Sequence, residues 1–449
     1  MSSSVASDLR RRDRALIAVA TLGAIVALIA TAFEVLTRHH GDGQVFFRAG
    51  WAIWAGHSIY AVTDDHGWSY HYPPFFALLM GPFANPPLGV ESPWWAMPYP
   101  VAVVVWCVVG LAALAAAAHA LADAIDRFAP WADEAKARSR YWPLRLAPSF
   151  AMAPFLGVGL TRGQTTTIIL FLMVAFLTRY ADRRHDSGSL GLSAAIAIKM
   201  FPAALLVLPA LRRDFRVIAY AAAFLFMLLF LVPGLCLGLQ ETIDLYRALW
   251  TERLQGMITG SLNPRIQAEL SPWSINAVGV GSMLARLFSA PSLDTPYVLP
   301  FWAQAAQLAF DAAVVSAIFV AGHGRFWRLK GRQPSEAYPI LLAGAALLAA
   351  LPPMLWVARP HYWALQIPLI TCLYAESTAH SGGMRPSNGQ IVWAVAAAIA
   401  FVATGPDAPG VLARLGPTTI VMLAPILAGV AALRRLPAAA AEQDGSPSI

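Results

Sequence analysis

With 449 residues, 58% of them hydrophobic and 13% charged, the chain carries about half the roughly 25% charge of an ordinary soluble domain, and its mean hydropathy of +0.57 excludes a water-soluble globule. The net charge of +7 comes as short basic clusters between apolar runs, a pattern of membrane topology rather than the continuous cationic stripe of a nucleic-acid binder. Cys107, Cys236 and Cys372 lie inside apolar runs without a CxxC pair or a histidine at ligand spacing, so they read as small packed hydrophobes.

In chain order, the basic RRRDR at 10–14 precedes an apolar run at 15–33. That run exceeds the core of a secretory signal, about 7 to 15 residues, and reads as an uncleaved first span with a cytoplasmic N-terminus over 1–14. The positive-inside rule then places residues 37–72 outside, with VFFRAGWAIW as a helix lying in the interface. Apolar runs follow at 73–90, 98–124, 146–160, 164–180, 190–211 and 216–238, several of them short or broken by proline. The clusters ADRRHD (181–186) and LRRDFR (211–216) flank one run, and a single crossing between them conflicts with the charge rule. Residues 239–296 hold no obvious span and fall outside, because the basic GHGRFWRLKGR at 322–332 belongs in the cytoplasm. Runs at 336–357, 361–375, 390–404 and 416–433 complete the pattern. The fold expected is an all-α polytopic membrane protein with about 11–13 membrane segments and external loops carrying interfacial helices. A single transmembrane domain over 15–435 is followed by a small polar tail at 436–449 of disordered composition.

Five stretches can carry chemistry. Asp42 in GDGQVFFRAGWAIWAGHSIY stands just beyond the first span, where a carboxylate either accepts a proton from a hydroxyl held at the surface or caps the helix that follows. In YHYPPFF (70–76), His71 and Tyr72 face the same layer, as acceptor-site residues or as loop support and interfacial anchors. TRGQTTT (161–167) sets Arg162 and Gln164 between two apolar runs, where they need a partner such as a phosphate or sugar, or else form a short solvent-facing loop. Lys199, one of only three lysines, interrupts AIAIKMFP (195–202) just before Pro202; it either neutralises a leaving phosphate or snorkels toward headgroups. Finally SLNPRIQAELSPWSINAVG (261–279) and ARPHYWALQ (358–366) offer Asn263, Arg265, Arg359, His361 and Tyr362 as donors to phosphate or sugar hydroxyls.

Taken in order, Asp42, a helix ending GHSIY, then YPPFF, GQTTT and KMFP followed by a basic loop resemble glycosyltransferase family 87. The resemblance covers about 40–280, and more loosely extends to 375. It implies a GT-C-type bundle in a bacterial inner membrane, working on the extracytoplasmic face. It further implies a hexosyltransferase that moves a sugar, mannose in the family's usual case, from a polyprenyl-phosphate-linked donor to a lipid or glycan acceptor with inversion. Asp42 is then the general base, and Lys199, Arg162, Gln164, Arg265, Arg359 and His361 are candidates for donor phosphate and sugar. His71, Tyr72 and Asn263 are candidates for acceptor or loop support. The leaving phosphate stabilises its own charge, so no DxD motif is required; none is present, and neither a cofactor nor a metal is expected. A secondary transporter or lipid flippase is the alternative, since broken spans and intramembrane charges also mark transport sites, but repeated halves are missing from the pattern of spans.

Overall fold

The apolar runs fold as helices, as lipid demands of a backbone that finds no water to bond. A computed structural model describes residues 3–38, 41–131, 134–255, 266, 269–274, 276–291, 298–326, 337–356, 358–381, 387–403, 414 and 416–436. In chain order the helices are α1 (Ser3–Arg38), α2 (Asp42–Trp54), α3 (Pro74–Leu79), α4 (Tyr99–Phe128), α5 (Glu134–Ala151), α6 (Ala153–Thr161), α7 (Thr166–Ala181), α8 (His185–Ile198) and α9 (Phe201–Leu211). They continue as α10 (Phe215–Leu237), α11 (Leu239–Leu249), α12 (Val280–Phe288), α13 (Phe301–Phe326), α14 (Ala337–Met354), α15 (Ile367–Ser381), α16 (Asn388–Val402) and α17 (Pro417–Arg435). Among the described residues six helices are long and apolar enough to cross a bilayer, in α1, α4, α10, α13, α14 and α17. The pair α5 and α6, bent by 70°, makes a seventh if it is one span, and α7, α9 and α16 are shorter apolar helices.

Helix α14 is the centre: 94% of its apolar window is buried, against 6% for α1 and 11% for α10, which leaves those two to face lipid. Its alanines and Gly344 let neighbours approach closely, and a Cβ on Gly344 would lie 2.2 Å from a methyl of Leu177 on α7. The run at 73–90 is not a span. Helix α3 has six residues, because Pro73 and Pro74 set its start and Pro82, Pro86 and Pro87 prevent continuation. Helix α2, expected on the interface, is instead buried from Gly43 to Ile53, since the segment from 58 to 84 folds over it. Arg253 closes that cover by donating from Nη2 to the Tyr60 carbonyl (2.6 Å) and from Nε to that of Tyr70 (3.1 Å).

The two basic clusters resolve into one end of a helical hairpin. Helices α8 and α10 run parallel: His185 pairs with Asp214 at 3.6 Å, Ser189 donates to the Val217 carbonyl (3.2 Å), and Ser193 donates to that of Ala221 (3.0 Å). Parallel neighbours require the chain to return between them, and α9 is that return. Fourteen residues of α8 rise about 21 Å at 1.5 Å each. Phe201–Leu206 is a 3-10 helix with the larger rise of about 2 Å per residue, so α9 covers nearly the same height in fewer residues. Both clusters therefore sit at the hairpin's feet, and Lys199, in extended backbone (φ −151°), is its tip.

Candidate active site

Asp42 is the first residue of α2, and the N-cap position falls to Gly41. The carboxylate is therefore not the cap acceptor. Its Oδ2 accepts instead from Nε2 of Gln164, and Oδ1 has no hydrogen-bond partner among the described residues. The two backbones that carry this pair cross almost in contact: Gly43 N–H donates to the Arg162 carbonyl at 3.1 Å. A Cβ on Gly41 (φ +145°) would lie 2.9 Å from that carbonyl oxygen, and one on Gly163 (φ +67°) would lie 3.0 Å from the Cα of Gly43. Only glycine combines that conformation with that proximity. Trp106 Nε1 then fixes the loop by donating to the Gly163 carbonyl at 2.8 Å. Trp106 is seven residues into α4, so the Asp42 crossing lies about 10 Å below the start of that span.

Three further segments close on the same place. Lys199 Nζ stands 5.0 Å from the ring centre of Tyr72 and 4.7 Å from that of Tyr362, between two aromatic faces and in no ion pair among the described residues. Its charge reaches Asp42, as does that of Arg359, and Arg162 and Arg359 both act on His361. His361 stacks on Tyr362 at 4.6 Å between centroids, and among the described residues neither of its buried ring nitrogens has a hydrogen-bond partner. Asp42, Arg162, Gln164, Tyr72, Lys199, Arg359 and His361 thus surround one polar centre within an apolar bundle. Such a centre can accept a proton at Asp42 and hold an anion between Lys199 and its neighbours.

Arg359 and His71 are partly committed elsewhere. Arg359 donates to the Glu269 carbonyl (2.6 Å) and to Ser274 Oγ (2.8 Å), and His71 Nε2 meets Glu269 Oε2 at 2.9 Å. Glu269 also accepts from Ser69 N (3.1 Å) and Oγ (3.2 Å), so this one residue ties the loop that bears Tyr72 to the turn that bears His361. Burial works against its carboxylate, but the bonds from His71 and Ser69 outweigh burial and hold its pKa below the usual value. Glu269 is not among the sequence-derived candidates. The one available signal was that it is the sole acid in the stretch 261–279. Asn263 and Arg265, expected here, lie outside the described residues.

Asp64 and Asp65 serve the loop. Asp65 accepts from Arg48 Nη2 (2.9 Å) and Gln44 Nε2 (2.6 Å), and Asp64 accepts from the backbone N–H of His66 (2.9 Å) and Trp68 (2.7 Å). Burial raises the pKa of Asp64, and those two backbone bonds oppose the rise. Among the described residues no group of three or more His, Cys, Asp or Glu side chains could hold a metal ion.

The sequence profile described as Glycosyltransferase family 87 matches residues 70–353, more than half of the chain. The matched stretch takes in Tyr72, Gln164, Lys199 and Glu269, while Asp42 precedes it and Arg359 and His361 follow it. No curated protein matches the chain.

Proposed function

Because the chain belongs to glycosyltransferase family 87 and is an all-α polytopic membrane protein, it is a membrane glycosyltransferase, and we propose that it transfers a hexose, mannose by family resemblance, from a polyprenyl-phosphate-linked donor to a lipid or glycan acceptor with inversion. The observation that carries this reading is the half-engaged Asp42 carboxylate, with one oxygen held by Gln164 and the other without a partner among the described residues, within electrostatic reach of Lys199. An acceptor hydroxyl attacks the anomeric carbon as the bond from that carbon to the phosphate oxygen breaks, and the hydroxyl proton passes to Asp42. The departing polyprenyl phosphate gains negative charge, which Lys199 receives together with Arg162 and Arg359. The unpartnered imidazole of His361 provides hydrogen bonds to the phosphate or the sugar. The recess of about 10 Å below the start of α4 suits a donor whose reacting phosphate is tethered at headgroup depth by its own lipid. By the charge rule, the arginine-rich feet of the hairpin face the cytoplasm of a bacterial inner membrane and Asp42 the extracytoplasmic side.

The reading is tested by incubating the reconstituted protein with a panel of polyprenyl-phosphate sugars and an acceptor lipid extract, then determining the anomeric configuration of the product. Transfer from the mannosyl donor with inversion is expected. Transfer from a nucleotide sugar alone, or a product with retained configuration, defeats it.

A further inference from the structure

From Leu239 to Leu254 the chain is one helical run, α11 followed directly by a π turn at Trp250–Leu254. Gly238 (φ +92°) breaks it away from α10. At about 100° per residue, Leu239, Ile243, Tyr246 and Trp250 share a sector about 60° wide, and Gln240, Asp244, Arg247 and Thr251 share a second of about the same width, centred about 100° away. Thr242, Leu245, Leu249 and Arg253 form a third sector, and all four are buried against the bundle. The run therefore has three faces, and protein covers one of them.

The chemistry of the other two faces identifies what meets them. On the polar face Asp244 accepts from Gln240 Nε2 (3.0 Å) and from Arg247 Nη1 (2.5 Å), and exposed charges of this kind belong in water. The apolar face is bare, with Leu239, Ile243 and Trp250 exposed to 66%, 40% and 51%. It is continuous with the lipid-facing side of α10: Tyr246 stacks on Phe230 at 4.9 Å between ring centres, and Leu231 and Leu235, further along α10, are exposed to 48% and 78%. A helix with one face in water and the next joined to a lipid-facing surface sits at the membrane interface, where tryptophan is favoured. The run lies at the Asp42 end of the bundle, because Arg253 reaches the Tyr60 and Tyr70 carbonyls in the cover over α2. Tyr70 is two residues from Tyr72, whose ring faces Lys199. We propose that the stripe of Leu239, Ile243 and Trp250 docks into the headgroup and acyl-chain boundary of the leaflet on the Asp42 side, and that Arg253 passes this anchorage to the loop carrying Tyr72. The interfacial role expected of α2 thus falls to α11, and the membrane surface itself holds the cover of the site in place.

The test uses the full chain in phosphatidylcholine vesicles on a Cys236→Ser background, in which the remaining cysteines, Cys107 and Cys372, are buried. An accessible cysteine is introduced as Leu239→Cys or Ile243→Cys, and for comparison as Gln240→Cys or Arg247→Cys, and is labelled with an environment-sensitive fluorophore. Nitroxide-labelled phosphatidylcholine should quench the first pair at least about twofold more strongly than the second, and aqueous iodide on both sides of the bilayer should give the reverse order. The link to the site is read by amide hydrogen exchange of residues 60–72 in lipid nanodiscs. Ile243→Gln and Leu239→Gln both weaken the anchorage at exposed positions without touching the buried face, and each should speed that exchange about fivefold. Gln240→Ala, on the polar face, should leave it unchanged. None of these readouts involves sugar transfer, so they hold whatever the donor. Equal iodide quenching at all four labelled positions, or exchange at 60–72 that answers to neither stripe variant or equally to Gln240→Ala, overturns the proposal.

Discussion

The two ends of the Lys199 hairpin treat charge in opposite ways. At its feet the charges are half-buried or exposed and answer one another locally, as in Asp182 with Arg184 and Arg127 or His185 with Asp214. Exposed pairs of that kind contribute little to stability, about 0 to 1 kcal/mol each. At the tip, polar groups are sunk among aromatic rings and several stay uncommitted among the described residues: Lys199 touches ring faces, both nitrogens of His361 lack partners, and Asp42 uses one oxygen of two. Leaving a buried polar group unmatched costs about 1 to 3 kcal/mol. A fold keeps such groups where a ligand completes them, so the contrast separates a working surface from a solvated one.

The sharpest way to break the contrast is at Asp42. Asp42→Asn keeps the size of the side chain and a hydrogen-bonding relation to Gln164 but removes the proton acceptor. Transfer should fall about 10³-fold with donor binding retained; measured turnover near the wild-type rate would remove Asp42 from the base role. Next in size is Gly163→Ala, since a methyl there meets the Cα of Gly43 at 3.0 Å on a backbone of φ +67°. A loss of about 2 kcal/mol is expected from the left-handed strain and the clash together, seen as a lower unfolding temperature and a reduced kcat. An unshifted unfolding temperature would show that the crossing can relax. Smaller again is Lys199→Ala, for which the donor KM should rise about tenfold through loss of a charge-assisted contact to phosphate. Lys199→Arg should recover part of that loss, whereas a lysine that merely snorkels gives an unchanged KM in both variants.

Much of this arrangement could be read from the chain before any coordinates, and the parts that could not share a cause. Helices are legible because lipid permits little else, Gln164 and Lys199 stand out because polar residues are expensive in or between apolar runs, and Asp42 stands out as a carboxylate just beyond the first span. The path of 185–226 was not legible, because apolar runs do not reveal whether neighbours pair parallel or antiparallel. Only the ladder from Ser189 to Val217 and Ser193 to Ala221 shows the return through α9. Burial of α2 was hidden for a similar reason, since its cover comes from elsewhere, including Arg253 about 200 residues away. Arg359 has the composition of a phosphate ligand, yet part of its guanidinium is spent on the Glu269 carbonyl and Ser274. Glu269 escaped notice because an acid in a polar external stretch looks like any solvated acid; its role depends on Ser69 and His71 arriving from far along the sequence.

Glu269 also yields the mildest perturbation, one that sharpens the contrast by titrating a buried contact at the Asp42 end. Its folded pKa is depressed, because the hydrogen bonds from His71 and Ser69 outweigh the burial that opposes them. A depressed carboxylate pKa adds stability above the unfolded value of about 4.3, and that contribution is lost as pH falls through the folded pKa. Acidification from neutral to below pH 4 should therefore loosen the loop that presents Tyr72. Glu269→Gln removes the charge but keeps an oxygen to accept from Ser69, so at neutral pH it should cost about 1 kcal/mol, read as a small drop in unfolding temperature. The variant should also lose less of its stability on acidification than the wild type does, so the two curves converge at low pH. Parallel curves across that window would mean that Glu269 does not carry the acid sensitivity and that its bonds to Ser69 and His71 hold equally well without charge.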